Sequence, residues 1–128
     1  MDSGNDGFKD LFVWQKAKDL AVNIYKLSGD GPLFKDFGLR DQMRRSAVSV
    51  PSNLAEGDER ETNKEAIRFF YFSKGSLAEL RTQIQIAFEI DYLKEEEFYH
   101  IDDECRVLGK MIGSLIKARK ERKIRGKG

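Results

Sequence analysis

Cysteine and histidine each occur once in this chain of 128 residues, and proline occurs twice. No apolar run approaches the ~18 residues needed to cross a bilayer. Each scarcity excludes something. A lone Cys105 forbids an internal disulfide and suits a reducing compartment. One His and one Cys cannot supply the three or four ligands of a His/Cys zinc site. The same shortage removes most nucleophile–base pairs. The composition therefore points away from an enzyme, carboxylate chemistry excepted, and implies no cofactor and no metal. Few prolines and an aromatic content of 11% exclude a disordered or low-complexity chain. The opening residues, MDSGNDGFKD, are polar and acidic with no apolar signal core, so a cytoplasmic protein with no membrane partner is expected.

What is present in quantity is charge. Lys and Arg number 23 and Asp and Glu 22, a net of +1. The balance is uneven. Residues 117–128 hold seven basic residues and one acid, a net of +6, whereas residues 1–116 hold 16 basic and 21 acidic, a net of −5. An acidic body carries a basic end. The length suits one domain.

The hydrophobic spacing is helical nearly throughout. A first helix is predicted from about Leu11 to Ser28, with Trp14, Ala17, Leu20, Ala21, Ile24 and Leu27 on one stripe. Gly29, Gly31 and Pro32 end it in a turn. A second runs from about Phe37 to Glu56 behind an Asp36 N-cap, with Leu39, Met43, Ala47, Val50 and Leu54 inward. Pro51 lies inside it and predicts a kink or short break, and Gly57 reads as a C-terminal cap. The third opens with the capping box Thr62-Asn63-Lys64-Glu65 and continues to Ile90. The fourth runs from about Lys94 to Ala118. Phe98, Ile101, Cys105, Leu108, Ile112 and Leu115 form its heptad seam, and Glu95, Glu96 and Glu97 complement its N-terminus. These spacings predict an all-α fold, an antiparallel up-and-down four-helix bundle. Residues 1–10 form a flexible lead, 11–118 the bundle and 119–128 a frayed basic tail.

Three stretches carry a family resemblance: Asp10–Ala17 (DLFVWQKA), Gly38–Gly57 (GLRDQMRRSAVSVPSNLAEG) and Lys74–Leu80 (KGSLAEL). Together they resemble the bacterial four helix bundle protein family, known as products of intervening sequences in 23S ribosomal RNA genes. The resemblance implies a homo-oligomer, a homopentameric barrel, and kinship with the accessory variability determinant of diversity-generating retroelements. That relative binds a reverse transcriptase and nucleic acid. Two positions depart from the pattern: Lys94 stands where a capping Ser or Thr is expected, and Asp91 where a turn glycine is expected.

Several groups of residues are candidate sites. Phe69, Phe70, Tyr71 and Phe72 are consecutive and sweep about 300° of a helix, more than one core stripe can absorb; the surplus predicts an oligomer interface. Arg45, Ser46, Ser49, Asn53, Glu56, Ser76 and Glu79 form a polar set beside Pro51. It serves either as an interhelical hydrogen-bond network, the favoured reading, or as a ligand or nucleic-acid site. Lys117, Arg119, Lys120, Arg122, Lys123, Arg125 and Lys127 are the principal nucleic-acid candidates, with Arg40 and Arg44 as extensions. No stacking aromatic is interleaved in that tail. Glu97-x-x-His100 has di-iron spacing, but a single His cannot complete such a site within one chain. Gly109 and Gly113 are read as packing positions and Cys105 as core. The expected function is a non-enzymatic oligomeric scaffold or accessory factor on RNA or DNA, with a reverse transcriptase as a further partner. The alternative is a protein–protein interaction module with no nucleic-acid role.

Overall fold

In the computed structural model, which describes residues 7–124, a 3-10 turn at Gly7–Asp10 leads into five α-helices: α1 (Phe12–Leu27), α2 (Gly31–Lys35), α3 (Phe37–Asp58), α4 (Asn63–Glu89) and α5 (Glu95–Ile124). Strands are absent from the described residues. The four long helices form the bundle, packed in the ring order α1, α3, α4, α5 and back to α1. Cross-helix bonds fix their directions. Ser49 Oγ meets Ser76 Oγ at 2.8 Å, and Ser73 Oγ donates to the Val50 carbonyl at 2.8 Å, so α3 and α4 run antiparallel. Arg81 on Asp102 and Lys120 on Tyr71 do the same for α4 and α5.

The predicted stripes meet on the axis. Ala17 and Ile24 of α1, Met43, Ala47, Val50 and Leu54 of α3, Phe70, Leu80 and Ile84 of α4, and Cys105 and Ile112 of α5 are all fully buried. Burial of each larger aliphatic or aromatic side chain contributes about 1.5–3 kcal/mol, which is the main stabilisation of the bundle. The caps agree with the sequence. Asp36 Oδ1 accepts from Leu39 N at 3.1 Å, and Thr62 Oγ1 accepts from Glu65 N at 3.2 Å. Asp91 adopts the left-handed φ of 65° that its turn demands, and Tyr92 N closes back on the Ala87 carbonyl at 2.8 Å. At Lys94 the missing hydroxyl cap is replaced from the other side: its own N–H donates to Glu97 Oε1 at 2.8 Å.

Four local expectations change. The connection after α1 is a short helix, α2, with Pro32 in its first turn, where a missing N–H costs nothing, and with Leu33 buried. α3 runs unbroken through Pro51. Gly57 is not a left-handed cap but lies inside the last turn of α3, where a Cβ would stand 2.6 Å from Phe70 Cε1. It permits close approach of α3 to α4. Finally, the seam of α5 buries Ile116 rather than Leu115 fully, and the helix continues to Ile124. A straight α-helix drifts about 20° per heptad against a 3.5-residue repeat, so after two heptads the buried stripe steps on by one position.

The bundle thus has two dissimilar ends. The start of α1, the end of α3, the start of α4 and the basic end of α5 share one, the tail end. The α4–α5 turn marks the other, where residues 89–104 hold eight Asp/Glu against the single cation Lys94.

Candidate functional site

At the tail end, the helical register of α5 sorts the basic residues by face. Arg119 turns inward. Its Nη2 pairs with Asp58 Oδ1 at 3.2 Å, its Nη1 reaches Asn63 Oδ1 at 3.4 Å, and its guanidinium lies 5.4 Å from the Phe70 ring centroid. Burial pulls its pKa down, helped by neighbouring Arg122, while Asp58 opposes the shift; a guanidinium remains charged regardless. Arg119 therefore latches the end of α5 to the α3–α4 connection, which explains why the helix persists past Ala118. Lys117, Lys120 and Arg122 are exposed. Lys123 belongs to the helix by its backbone, and its side chain, like Arg125 and Lys127, lies outside the described residues.

The four consecutive aromatics distribute around α4 as their angular sweep requires. Phe70 is fully buried, Phe69 is half-buried, and Tyr71 and Phe72 are exposed. Each ring that faces outward carries a cation. Arg60 lies 4.5 Å from the Phe69 centroid and Arg68 5.2 Å from that of Phe72, and the two phenylalanines meet edge to face at 5.7 Å. Lys120 Nζ donates to Tyr71 Oη at 2.8 Å and holds that phenol below its usual pKa. The tail has no aromatic of its own, and the fold supplies aromatics from α4 beside it.

Arg40 and Arg44 lie far from this end and are structurally engaged. Arg44 Nε donates to Ser28 Oγ at 2.8 Å and its Nη2 to the Tyr25 and Ser28 carbonyls at 3.3 and 3.2 Å, with the guanidinium 4.5 Å over the Tyr25 ring. It closes the C-terminus of α1, where a cation is favoured. One turn earlier, Arg40 donates to the Phe34 carbonyl at 3.1 Å and lies 5.0 and 4.8 Å over Phe34 and Phe37, performing the same task for α2. Their i, i+4 spacing matches the succession of two helix ends. No sequence pattern reveals this, because both acceptors belong to other elements.

The polar set beside Pro51 divides. Ser49, Ser76 and Asn53 form a bonded cluster, with Asn53 Nδ2 donating to Ser49 O at 2.9 Å and to Ser49 Oγ at 3.0 Å. Ser73, predicted on the inward stripe of this helix but not in the polar set, joins α4 to the Val50 carbonyl next to the proline. Glu56 pairs instead with Arg60 at 2.7 Å. Arg45, Ser46 and Glu79 are outside the cluster and line a crevice between α3 and α4 with Gln42, Ser49 and Gln83.

The remaining candidates fall in ordinary places. His100 is well exposed, 3.8 Å from Glu104. Burial pushes the Cys105 thiol up to about 12. Gly109 packs on Leu77, whereas a Cβ at Gly113 would meet nothing within 4 Å. Among the described residues, no group of three or more His, Cys, Asp or Glu is placed to hold a metal, and no helix is long and apolar enough to cross a membrane.

These features define an all-α bundle whose charge is polarised from end to end and whose motif residues close helix ends and tie α3 to α4. Residues 9–114 match the family model described as 23S rRNA-intervening sequence protein, and the chain belongs to that family. The fold is similar to a crystal structure from Bacteroides thetaiotaomicron, a protein of unknown function from the S23 ribosomal protein family. The TM-score is 0.76 at 22% identity, covering 82% of this chain and 98% of that one; at such identity the likeness speaks for the fold alone. No curated protein matches the sequence.

Proposed function

We propose that this protein is a non-enzymatic, cytoplasmic homo-oligomer that binds RNA or DNA through the tail end of its bundle. In this role it is an accessory factor to a nucleic-acid enzyme, and the family kinship favours a reverse transcriptase of a diversity-generating retroelement. The observation that carries the reading is the juxtaposition of Lys117, Lys120 and Arg122 on α5 with exposed Tyr71 and Phe72 on α4. Lys and Arg neutralise phosphates and release counterions. Aromatic faces and arginine planes stack on unpaired bases. A homopentameric barrel would gather five such ends, raising affinity through effective concentration without a new contact.

The test is fluorescence anisotropy with single-stranded RNA and duplex DNA across a salt series. Removing residues 117–128 would also remove the Arg119 latch, so the cleaner variant replaces Lys117, Lys120 and Arg122 by Gln and retains Arg119. Binding at low salt that weakens at least tenfold in this variant supports the proposal; absent or unchanged binding refutes it. Light scattering giving a monomer mass at micromolar concentration refutes the oligomer.

One observation favours the alternative, a protein–protein module. Exposed Val22, Tyr25 and Val48 join Ala21 and Pro51 in a shallow, almost wholly apolar groove between α1 and α3. Partners that survive nuclease treatment in a pull-down would support this second reading.

A further inference from the structure

The crevice between α3 and α4 has a composition that the bundle does not require. It measures about 400 Å³ and is lined by Gln42, Arg45, Ser46, Ser49, Glu79 and Gln83. That volume is at the lower end of the range of small-molecule sites. The Ser49–Ser76 bond sets the register, which brings Ser46 level with Glu79 and Gln42 level with Gln83 on the facing helices. Gln83 is only 7% exposed, and its Oε1 is buried with no hydrogen-bond partner. A buried acceptor in that condition is costly unless something else meets it. Arg44 is fully engaged, but its neighbour Arg45 makes no hydrogen bond or ion pair among the described residues, and neither does Glu79. The site thus presents a guanidinium and a carboxylate, both solvent-exposed and without a protein partner, around a small cleft whose third polar group, the Gln83 amide oxygen, is buried and orphaned.

We propose that this crevice binds a small zwitterion of the free α-amino-acid class. A guanidinium matches a carboxylate bidentately. The exposed Glu79 carboxylate suits an ammonium group, with the Gln83 amide one turn further along α4. A phosphate or other plain anion would face the Glu79 charge, and a plain cation would face Arg45. A ligand bearing both charges complements both side chains. Glu79 and Gln83 lie about 12 and 18 Å along α4 from Tyr71, eight and twelve residues at 1.5 Å each, and the site does not depend on nucleic-acid binding at the tail end.

The full-length protein is melted in the presence of each of the twenty protein amino acids at about 10 mM, where a millimolar binder already gives a readable shift. Methylammonium and acetate serve as single-charge controls. Any amino acid that raises the melting temperature is then titrated by calorimetry against wild type, Arg45→Gln and Glu79→Gln. The expected result is binding by at least one amino acid and by neither control, weakened about tenfold or more in each variant. Both variants should fold normally without ligand, because neither side chain is bonded in the free protein. The proposal is overturned if no amino acid shifts the melt, or if either variant binds as tightly as wild type. It is also overturned if either variant changes the particle mass by light scattering, since the crevice would then be filled by a second copy of the chain.

Discussion

Replacing Gly57 by Ala sets two physical effects against each other. By helix propensity the change should help, since Ala exceeds Gly by about 0.8–1 kcal/mol inside a helix. The backbone raises no objection, because the described glycines with positive φ are Gly7 and Gly31. Packing decides the sign. The new Cβ would lie 2.6 and 2.9 Å from Cε1 and Cδ1 of Phe70 and 3.0 Å from the Ala66 carbonyl oxygen. Phe70 has little room to move: it is fully buried, and the Arg119 guanidinium lies 5.4 Å from its ring centroid. The Ala66 oxygen is backbone. With contacts this short and neighbours this confined, overpacking costs about 2–3 kcal/mol, the upper part of the usual range, so after the propensity gain Gly57→Ala should lose about 1–2 kcal/mol. For a chain of this size the melting temperature should fall by about 3–8 °C. Gly75 is the internal control. It also lies inside a helix but is exposed, with nothing within 4 Å of a built Cβ, so Gly75→Ala should gain about 0.5–1 kcal/mol. Thermal melts by far-UV circular dichroism read both variants. A Gly57→Ala protein as stable as wild type would refute the close approach of α3 and α4. A destabilised Gly75→Ala would mean that another molecule occupies the space beside α4.

Two further perturbations test the latch and the core. Arg119→Ala leaves the half-buried Asp58 carboxylate without its cation and should cost about 1–3 kcal/mol, less than a fully buried pair, with faster hydrogen exchange in the last turns of α5; unchanged exchange there would show that the latch does not hold the helix end. For Cys105, burial raises the folded pKa from 9.0 to about 12. The stability that the neutral thiol contributes is complete below about pH 9 and is lost as pH rises towards about 12, because the unfolded chain ionises first. Cys105→Ala should flatten that part of the alkaline stability profile, and the native thiol should resist a thiol-specific dye at pH 8 until denaturant is added. Rapid labelling of the native protein would contradict its placement on the seam.

Most of the helices were legible because their information is local. Asp36 and Thr62 cap the helices they precede, and in α4 the buried residues Ala66, Phe70, Ser73, Leu77, Leu80, Ile84 and Ala87 recur at helical period whatever they pack against. Errors came where a residue acts on a partner distant in sequence. Arg44 reads as an extension of the nucleic-acid-binding surface until the fold brings the end of α1 within reach, and Arg119 reads as tail until Asp58 and Asn63 approach from 61 and 56 residues away. Gly57 is ambiguous in the sequence for a related reason. A glycine near a helix end is equally consistent with a left-handed cap and with a close contact, and only the position of Phe70 decides. In the polar set beside Pro51, hydrogen-bonding capacity was visible, but its division was not. Ser49, Asn53 and Ser76 bond among themselves, whereas Arg45 and Glu79 stay exposed without a protein partner.

The charge polarity gives the proposed nucleic-acid role a quantitative form. The net of +1 hides an axis: acids cluster at the α4–α5 turn, and α5 carries the chain about 45 Å, thirty residues at 1.5 Å each, to the basic end. At physiological salt the Debye length is about 8 Å, so the acids at one end barely weaken phosphate binding at the other. With Arg119 engaged on Asp58, six basic residues remain in 117–128. One chain binding duplex DNA through all six gives a log–log salt slope no steeper than about −5, at about 0.9 per phosphate neutralised. A ring of parallel copies would bring every tail to one rim and every acidic turn to the opposite rim. A slope near −10 would then require a second tail on the same ligand, and it should return to about −5 in a variant held monomeric. A slope of −5 in the oligomer itself would mean that the tails act singly and that assembly serves something other than avidity.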